Sequence, residues 1–161
     1  MSSSFDLAGQ LPRLLPLAAA WVEKQEARIV AYGVALTAEQ ISDARKVGVN
    51  NPERVRLLSV ASITAPEHPM LRAAAEATQL IGPGTAGLTL RYGIFIRQDC
   101  WGDRHLVAHE LVHTGQYERF GSIAEFLRHY LEECLTVGYP EGPLEQEAIV
   151  RSGQLFFRRS E

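Results

Sequence analysis

Residues 109–113 read His-Glu-Leu-Val-His, set in an apolar run with Leu106, Val107 and Ala108 before it. Two imidazoles four residues apart lie on one side of an α-helix, one turn above the other. A divalent cation can bridge them without bending the backbone. Glu110 stands at roughly 100° round the helix from His109 and about 60° from His113. It flanks the same face, within reach of a water on such a cation but poorly aimed as a ligand. Two neutral nitrogens and one carboxylate base are what zinc-assisted peptide hydrolysis needs. Chance gives this pattern in roughly one chain of this length in a few hundred. The helical setting and a further acidic candidate downstream favour a metal site. The motif thus requires a helix here and a second element that brings a third ligand to it.

The rest of the chain narrows the class. With 161 residues, 46% hydrophobic and 22% charged, it suits one soluble domain with a real core. Net charge is −3, and Arg158-Arg159 is the one basic pair that stands out, so nucleic-acid binding has no electrostatic support. No apolar run reaches the roughly 18 residues of a membrane span. Leu11 to Ala20 is apolar, but Pro12, Arg13 and Pro16 interrupt it and Asp6 precedes it, so it reads as a buried helix rather than an export signal. Cys100 and Cys134 lack metal-like spacing and are expected as free thiols in a cytoplasmic protein.

Local patterns then give the elements. Residues 1–10 read as frayed, and Pro12 to about Tyr32 as a helix with apolar positions at three- and four-residue steps. Thr37 and Gln40 form a capping-box pair for a short helix ending at Gly48, and Asn50-Asn51-Pro52 is a turn. Arg54 to Ile63 reads as a strand, and Met70 to Leu80 as a helix stopped by Gly82-Pro83-Gly84. Leu88 to Arg97 is either one long kinked strand or a short hairpin split at Tyr92-Gly93. Asp103 is a natural N-cap for the histidine helix, Arg104 to about Arg119. Ser122-x-x-Glu125 forms a second capping box, opening a helix from Ile123 to Thr136. Pro143 sits at a first helical position, and the last helix runs from Leu144 to about Arg158.

A hydrolytic zinc site takes three protein ligands and leaves one position for water. Glu118 points away from His113 by the helical period, and Glu125, Glu132 and Glu133 lie on the connecting helix, where exposed glutamates are ordinary. Glu145 and Glu147 open the helix after a well-marked turn, a good place from which to aim a carboxylate. HELVH followed some thirty residues later by Glu145-Gln146-Glu147-Ala148 resembles the gluzincin class of zinc peptidases. Residues 88–116 also resemble a small bacterial metallopeptidase-like domain of unknown function, in which L-T-L-x-x-x-I-F-x-R leads into L-x-A-H-E-L-x-H-x-x-Q. The resemblance spans residues 86–155 and not the N-terminal part.

That resemblance implies an α+β, zincin-like single domain. Helices pack on a small sheet, residues 86–161 carry the metal, and residues 1–85 form a helical and strand portion. It makes Glu145 the third zinc ligand, Glu147 the runner-up, and Ala148 the small residue beneath. The class has Asp four residues after the glutamate ligand, where this chain has Ile149; Glu147 is the candidate to replace it in holding a histidine tautomer.

The expected function is zinc-dependent cleavage of a peptide or protein substrate. His109, His113 and Glu145 hold the zinc and Glu110 acts as general base. Tyr139, on the loop before Glu145, is the preferred oxyanion donor over His129 and Tyr130, because loops line clefts. His105 reads as a rim residue, and as a fourth ligand it would close the site. Gln116 reads as a hydrogen bonder supporting the site, Tyr117 and Phe120 as core, and Trp21 and Trp101 as packing, with an edge of the cleft as the alternative place for Trp101. The strand around Ile94 is a candidate edge that pairs with substrate backbone. The rivals are a metal-binding protein without catalysis and a scaffold with a structural site. Oligomeric state has no signature.

Overall fold

A computed structural model describes residues 7–157. Among them are six α-helices and one four-stranded sheet, an α+β arrangement in a single small domain. Helix α1 (Leu7–Tyr32) leads into strand β1 (Val34–Ala35), helix α2 (Ala38–Lys46) and strand β2 (Arg56–Val60). Helix α3 (Pro69–Thr78) precedes strands β3 (Gly87–Leu90) and β4 (Gly93–Arg97). Helices α4 (Arg104–Phe120), α5 (Ile123–Thr136) and α6 (Pro143–Phe156) complete the chain.

Strand order is β1-β2-β4-β3, with β2 and β4 parallel and both outer pairs antiparallel. The central strand β4 is buried on both sides, because successive side chains alternate between faces. Ile94 and Ile96 join Val107, Leu111 and Val112 of α4 on one side. Phe95 joins Val22 and Ile29 of α1 on the other. Helix α5 packs on both α1 and α4, and α6 packs on α4. Ala148 is fully buried in the α4 core, where a small side chain lets α6 come close.

Several sequence expectations need correction. Helix α1 starts at Leu7, so residues 7–10 are helical rather than frayed, while residues 1–6 lie outside the described region. Pro12 and Pro16 sit inside that helix on its exposed side, where freed carbonyls can meet water. The strand expected over 54–63 is shorter, because Pro52–Arg54 forms a 3-10 turn first. Helix α3 ends at Thr78, stopped by Gln79 in the left-handed region (φ 59°) rather than by Gly82. Strand β1 had no sequence signal at two residues. The end of the last helix near Arg158 lies outside the described region; α6 ends at Phe156.

The Leu88–Arg97 segment is a hairpin. Leu90 pairs with Gly93 across a two-residue turn of Arg91 and Tyr92. Arg91 has φ 60°, a left-handed conformation that costs a non-glycine residue about 1–2 kcal/mol. Its guanidinium forms two hydrogen bonds to Glu26 of α1, at 2.7 and 2.6 Å. The Thr114 hydroxyl donates to its carbonyl at 2.7 Å. These contacts hold the turn against the strain. The strand around Ile94 is therefore internal; the edges are β1 and β3, and β3 is the edge strand packed beside α4.

Capping agrees only in part. Thr37 and Gln40 form the full reciprocal box, and Asp103 accepts from the Leu106 amide. Ser122 accepts from the Glu125 amide, but the Glu125 carboxylate pairs with Arg128 instead of returning the bond. No described helix is long and apolar enough to cross a membrane.

Candidate metal centre

Helix α4 carries His109, Glu110 and His113 on a length of helix held between sheet and α6. The apolar side chains between them, Leu111 and Val112, are fully buried against β4. That packing fixes the rotation of α4, and so fixes where the two imidazoles point. Their ring centroids are 5.2 Å apart.

Helix α6 brings Glu145 to them from its first turn. One carboxylate oxygen is 2.6 Å from His109 Nε2 and the other is 3.1 Å from His113 Nε2. The Tyr130 hydroxyl of α5 donates to Glu145 Oε2 at 2.9 Å. The start of α6 is itself anchored from two helices. The Leu144 amide donates to Glu133 Oε2 at 3.0 Å, and the Leu144 carbonyl accepts from Gln116 Nε2 at 2.9 Å. By sequence alone Glu133 is one of several ordinary exposed glutamates on the connecting helix. Its signal was only its reach to an amide that the helix start leaves unpaired.

Gln116 settles the chemistry of His113. Its two amide protons go to the Leu144 carbonyl and to Glu147 Oε1, at 2.9 and 2.7 Å. Both partners are pure acceptors, so the amide oxygen must face His113 Nδ1, at 2.8 Å. A neutral His113 therefore carries its proton on Nδ1 and directs the Nε2 lone pair at Glu145. Glu147, paired with Arg119 at 2.8 Å, acts on the histidine through Gln116 rather than directly. It is not one of the three converging donors.

Burial works against a charged His113 ring, but the hydrogen bond and charge of Glu145 outweigh it, with Glu110 and Gln116 adding to them. They hold the ring up at about 9. Burial pushes Glu145 upward, and hydrogen bonds from His109 and His113 more than reverse it, leaving the carboxyl well below the usual range.

His109, His113 and Glu145 offer ligand atoms that all lie within 4.8 Å of one another. Zinc bonds of about 2.0–2.2 Å in a tetrahedral set separate ligand atoms by roughly 3.3 Å; here Glu145 stands 2.6 and 3.1 Å from the two rings and the whole set lies within 4.8 Å, so small side-chain shifts suffice to surround an ion. Two imidazoles and a carboxylate, one ring fixed through its far nitrogen, fit a divalent ion such as zinc and leave a coordination position open.

Glu110 is 6% exposed and lies over the edge strand. Strand alternation puts Gly87 and Thr89 on the side of β3 that faces α4. The Thr89 hydroxyl is 2.6 Å from Glu110 Oε2 and 2.9 Å from the Glu110 carbonyl. A Cβ on residue 87 would stand 3.0 Å from both Glu110 Cγ and Oε1, so glycine leaves room for the carboxylate. Neither Gly87 nor Thr89 was singled out from sequence. Only the pairing of β3 against α4 exposes their role.

An open cleft runs along this centre, bordered by His105, His109, Glu110, Tyr139, Glu145 and Ile149 among others. Tyr139 is 40% exposed, and burial with the charges of Glu145 and Glu110 pushes its hydroxyl up to about 12. It remains a proton donor at neutral pH. His105 stacks on Phe156 at 4.8 Å and is not one of the converging ligands. His129 stacks on Phe120 at 4.5 Å, and Tyr130 is engaged with Glu145. Glu118 accepts from Asn50, Asn51 and Tyr92, tying α4 to the loop before β2. Tyr117 is core as expected, and Trp101 is 46% exposed rather than buried. Cys100 and Cys134 are unbridged.

No protein-family model, curated protein or solved structure matches this chain.

Proposed function

We propose that this chain is a zinc-dependent peptidase with a zincin-like arrangement of helices and sheet. The observation that carries the reading is the meeting of His109, His113 and Glu145 within 4.8 Å, with Glu110 buried beside them at the edge of an open cleft. Zinc, when bound, would supply Lewis-acid activation of water and of the scissile carbonyl. His109, His113 and Glu145 would hold it.

The chain's own groups do the rest. Glu110 takes the proton of the attacking water and passes it to the leaving amine. Thr89 holds the carboxylate in place for both transfers. The Tyr139 hydroxyl, protonated and bordering the cleft, donates to the developing oxyanion. Gly87, at the start of edge strand β3 and on the cleft, rather than the strand around Ile94, offers backbone groups to an extended substrate.

Glu110→Gln tests this. The variant keeps zinc, measured by metal analysis of protein prepared without chelator, and loses peptide hydrolysis by about 10²–10⁴-fold. Wild-type turnover in that variant overturns the reading. A wild-type protein that retains zinc and cleaves nothing points to the non-catalytic alternative, which the exposed Ile149 at the cleft favours. His105 lies outside the ligand group, which removes one argument for the scaffold alternative.

A further inference from the structure

Next to the triad the fold keeps an apolar cavity that none of the steps above uses. It lies beyond the free edge of β3, where α1, α3 and α5 meet, and its volume is about 130 Å³. Leu14, Trp21, Val22, Leu71, Ala75 and Leu127 line its interior. Glu110, His113 and Glu145 line it as well. Gly87, Glu110, Tyr139 and Glu145 border both this cavity and the open cleft, so the two voids share a wall at the reactive groups.

Interiors pack densely, and a void of this size weakens a core unless something fills it. Its apolar lining offers water few partners. An anionic side chain would meet the carboxylates of Glu110 and Glu145, and a cationic one would bury its charge in an otherwise apolar lining. The size selects among apolar occupants, since an apolar protein cavity of roughly 150 Å³ accepts benzene. A single six-membered ring matches this space, whereas an isobutyl group leaves part of it empty. The rings of Phe126 and Tyr130, stacked at 5.4 Å, and of Trp21 offer aromatic surface to the occupant.

We propose, resting on the peptidase reading, that this cavity receives the phenyl ring of a substrate residue flanking the scissile bond. The ring fills the space behind Glu110 and His113 and sets the peptide across the cleft, so the cavity determines specificity.

The first test needs no metal. Full-length, metal-free protein is titrated with toluene and followed by NMR and thermal melting. Wild type binds saturably, N-acetyl-phenylalanine amide displaces the toluene, and N-acetyl-glycine amide does not. Ala75→Leu and Ala18→Leu, which fill the cavity from α3 and α1, abolish toluene binding; two variants guard against one failing to fold. With zinc, peptides carrying phenylalanine beside the cleaved bond exceed glycine counterparts in kcat/KM by about ten- to a hundred-fold, and the filled variants erase that preference. No toluene binding by wild type, undiminished binding by both folded variants, or equal cleavage of both peptides overturns the proposal. Toluene displaced by phenylalanine amide in a protein that cleaves no peptide overturns the peptidase reading and leaves the cavity assignment standing.

Discussion

His109 and His113 come from one motif, one helical turn apart, and the fold treats them differently. The side chain of His113 is 8% exposed and its Nδ1 is held by Gln116, with Glu147 and Arg119 behind. The side chain of His109 is 20% exposed and borders the cleft. Among the described residues, no hydrogen bond to its Nδ1 is present, and Ile149 occupies the position where the resemblance places an Asp. The difference teaches that spacing equalises two ligands on a helix, whereas packing does not. One imidazole is locked from behind. The other depends on Glu145 and on what enters the cleft.

The largest effect expected of this asymmetry is a pH dependence of metal-free stability. His113, raised from 6.5 to about 9 by its partners, contributes stability that is complete below 6.5 and is lost as pH rises through about 9. Glu145, held below its ordinary 4.5, contributes above that value and loses its contribution only in stronger acid. Melts in chelator should therefore peak between about 4.5 and 6.5 and decline toward pH 9, by on the order of 3 kcal/mol. Zinc requires the neutral ring, so its stabilising effect should grow over the same interval. A flat chelator profile would show that Glu145 does not pair with His113.

Next in size, Gln116→Ala should lower zinc affinity by about 10–100-fold, read by competition with a chromophoric chelator. An unchanged affinity would break the claim that His113 is locked from behind. Thr89→Val should leave zinc content intact and lower kcat by about tenfold or more, the loss of one hydrogen bond to a charged group. The smallest effect is a gain. Ile149→Asp, from a cleft residue 43% exposed, should tighten zinc by up to about tenfold by giving His109 the acceptor it lacks. No gain would mean that the asymmetry between the rings is not set by that missing carboxylate.

Much of this was legible in the chain itself. The helical periods of α1, α4 and α5, the cap at Asp103 and the Pro143 start follow from local rules that the structure keeps. Glu145 could be singled out as the third candidate because of its offset from the histidine pair, and its carboxylate does meet both rings. What stayed hidden depends on which element lies beside which. Nothing local marks Thr89 as the partner of Glu110 or Glu133 as the anchor of the Leu144 amide, since both contacts appear only once strand and helices are docked. The position of β4 inside the sheet was equally unreadable, because a buried apolar strand looks the same at an edge or a centre until its neighbours are known. Ser122 and Glu125 show the converse: a local rule was met by sequence, but Arg128 offered the carboxylate a competing charge.

The two-residue turn at Arg91 and Tyr92 has a consequence for how such a protein could vary. Side chains along β3 switch faces at every step, so a change at that turn that slipped the pairing of β3 with β4 by one residue would rotate Leu88 or Leu90 toward α4 and turn Thr89 away. Glu110 would then meet hydrocarbon in place of a hydroxyl, with every residue of the HELVH motif untouched. An insertion at this bend that slips the register should therefore part Glu110 from its hydroxyl partner as surely as replacing Thr89 would. Chains that keep the motif but differ in the length of this hairpin should not be assumed to share its chemistry.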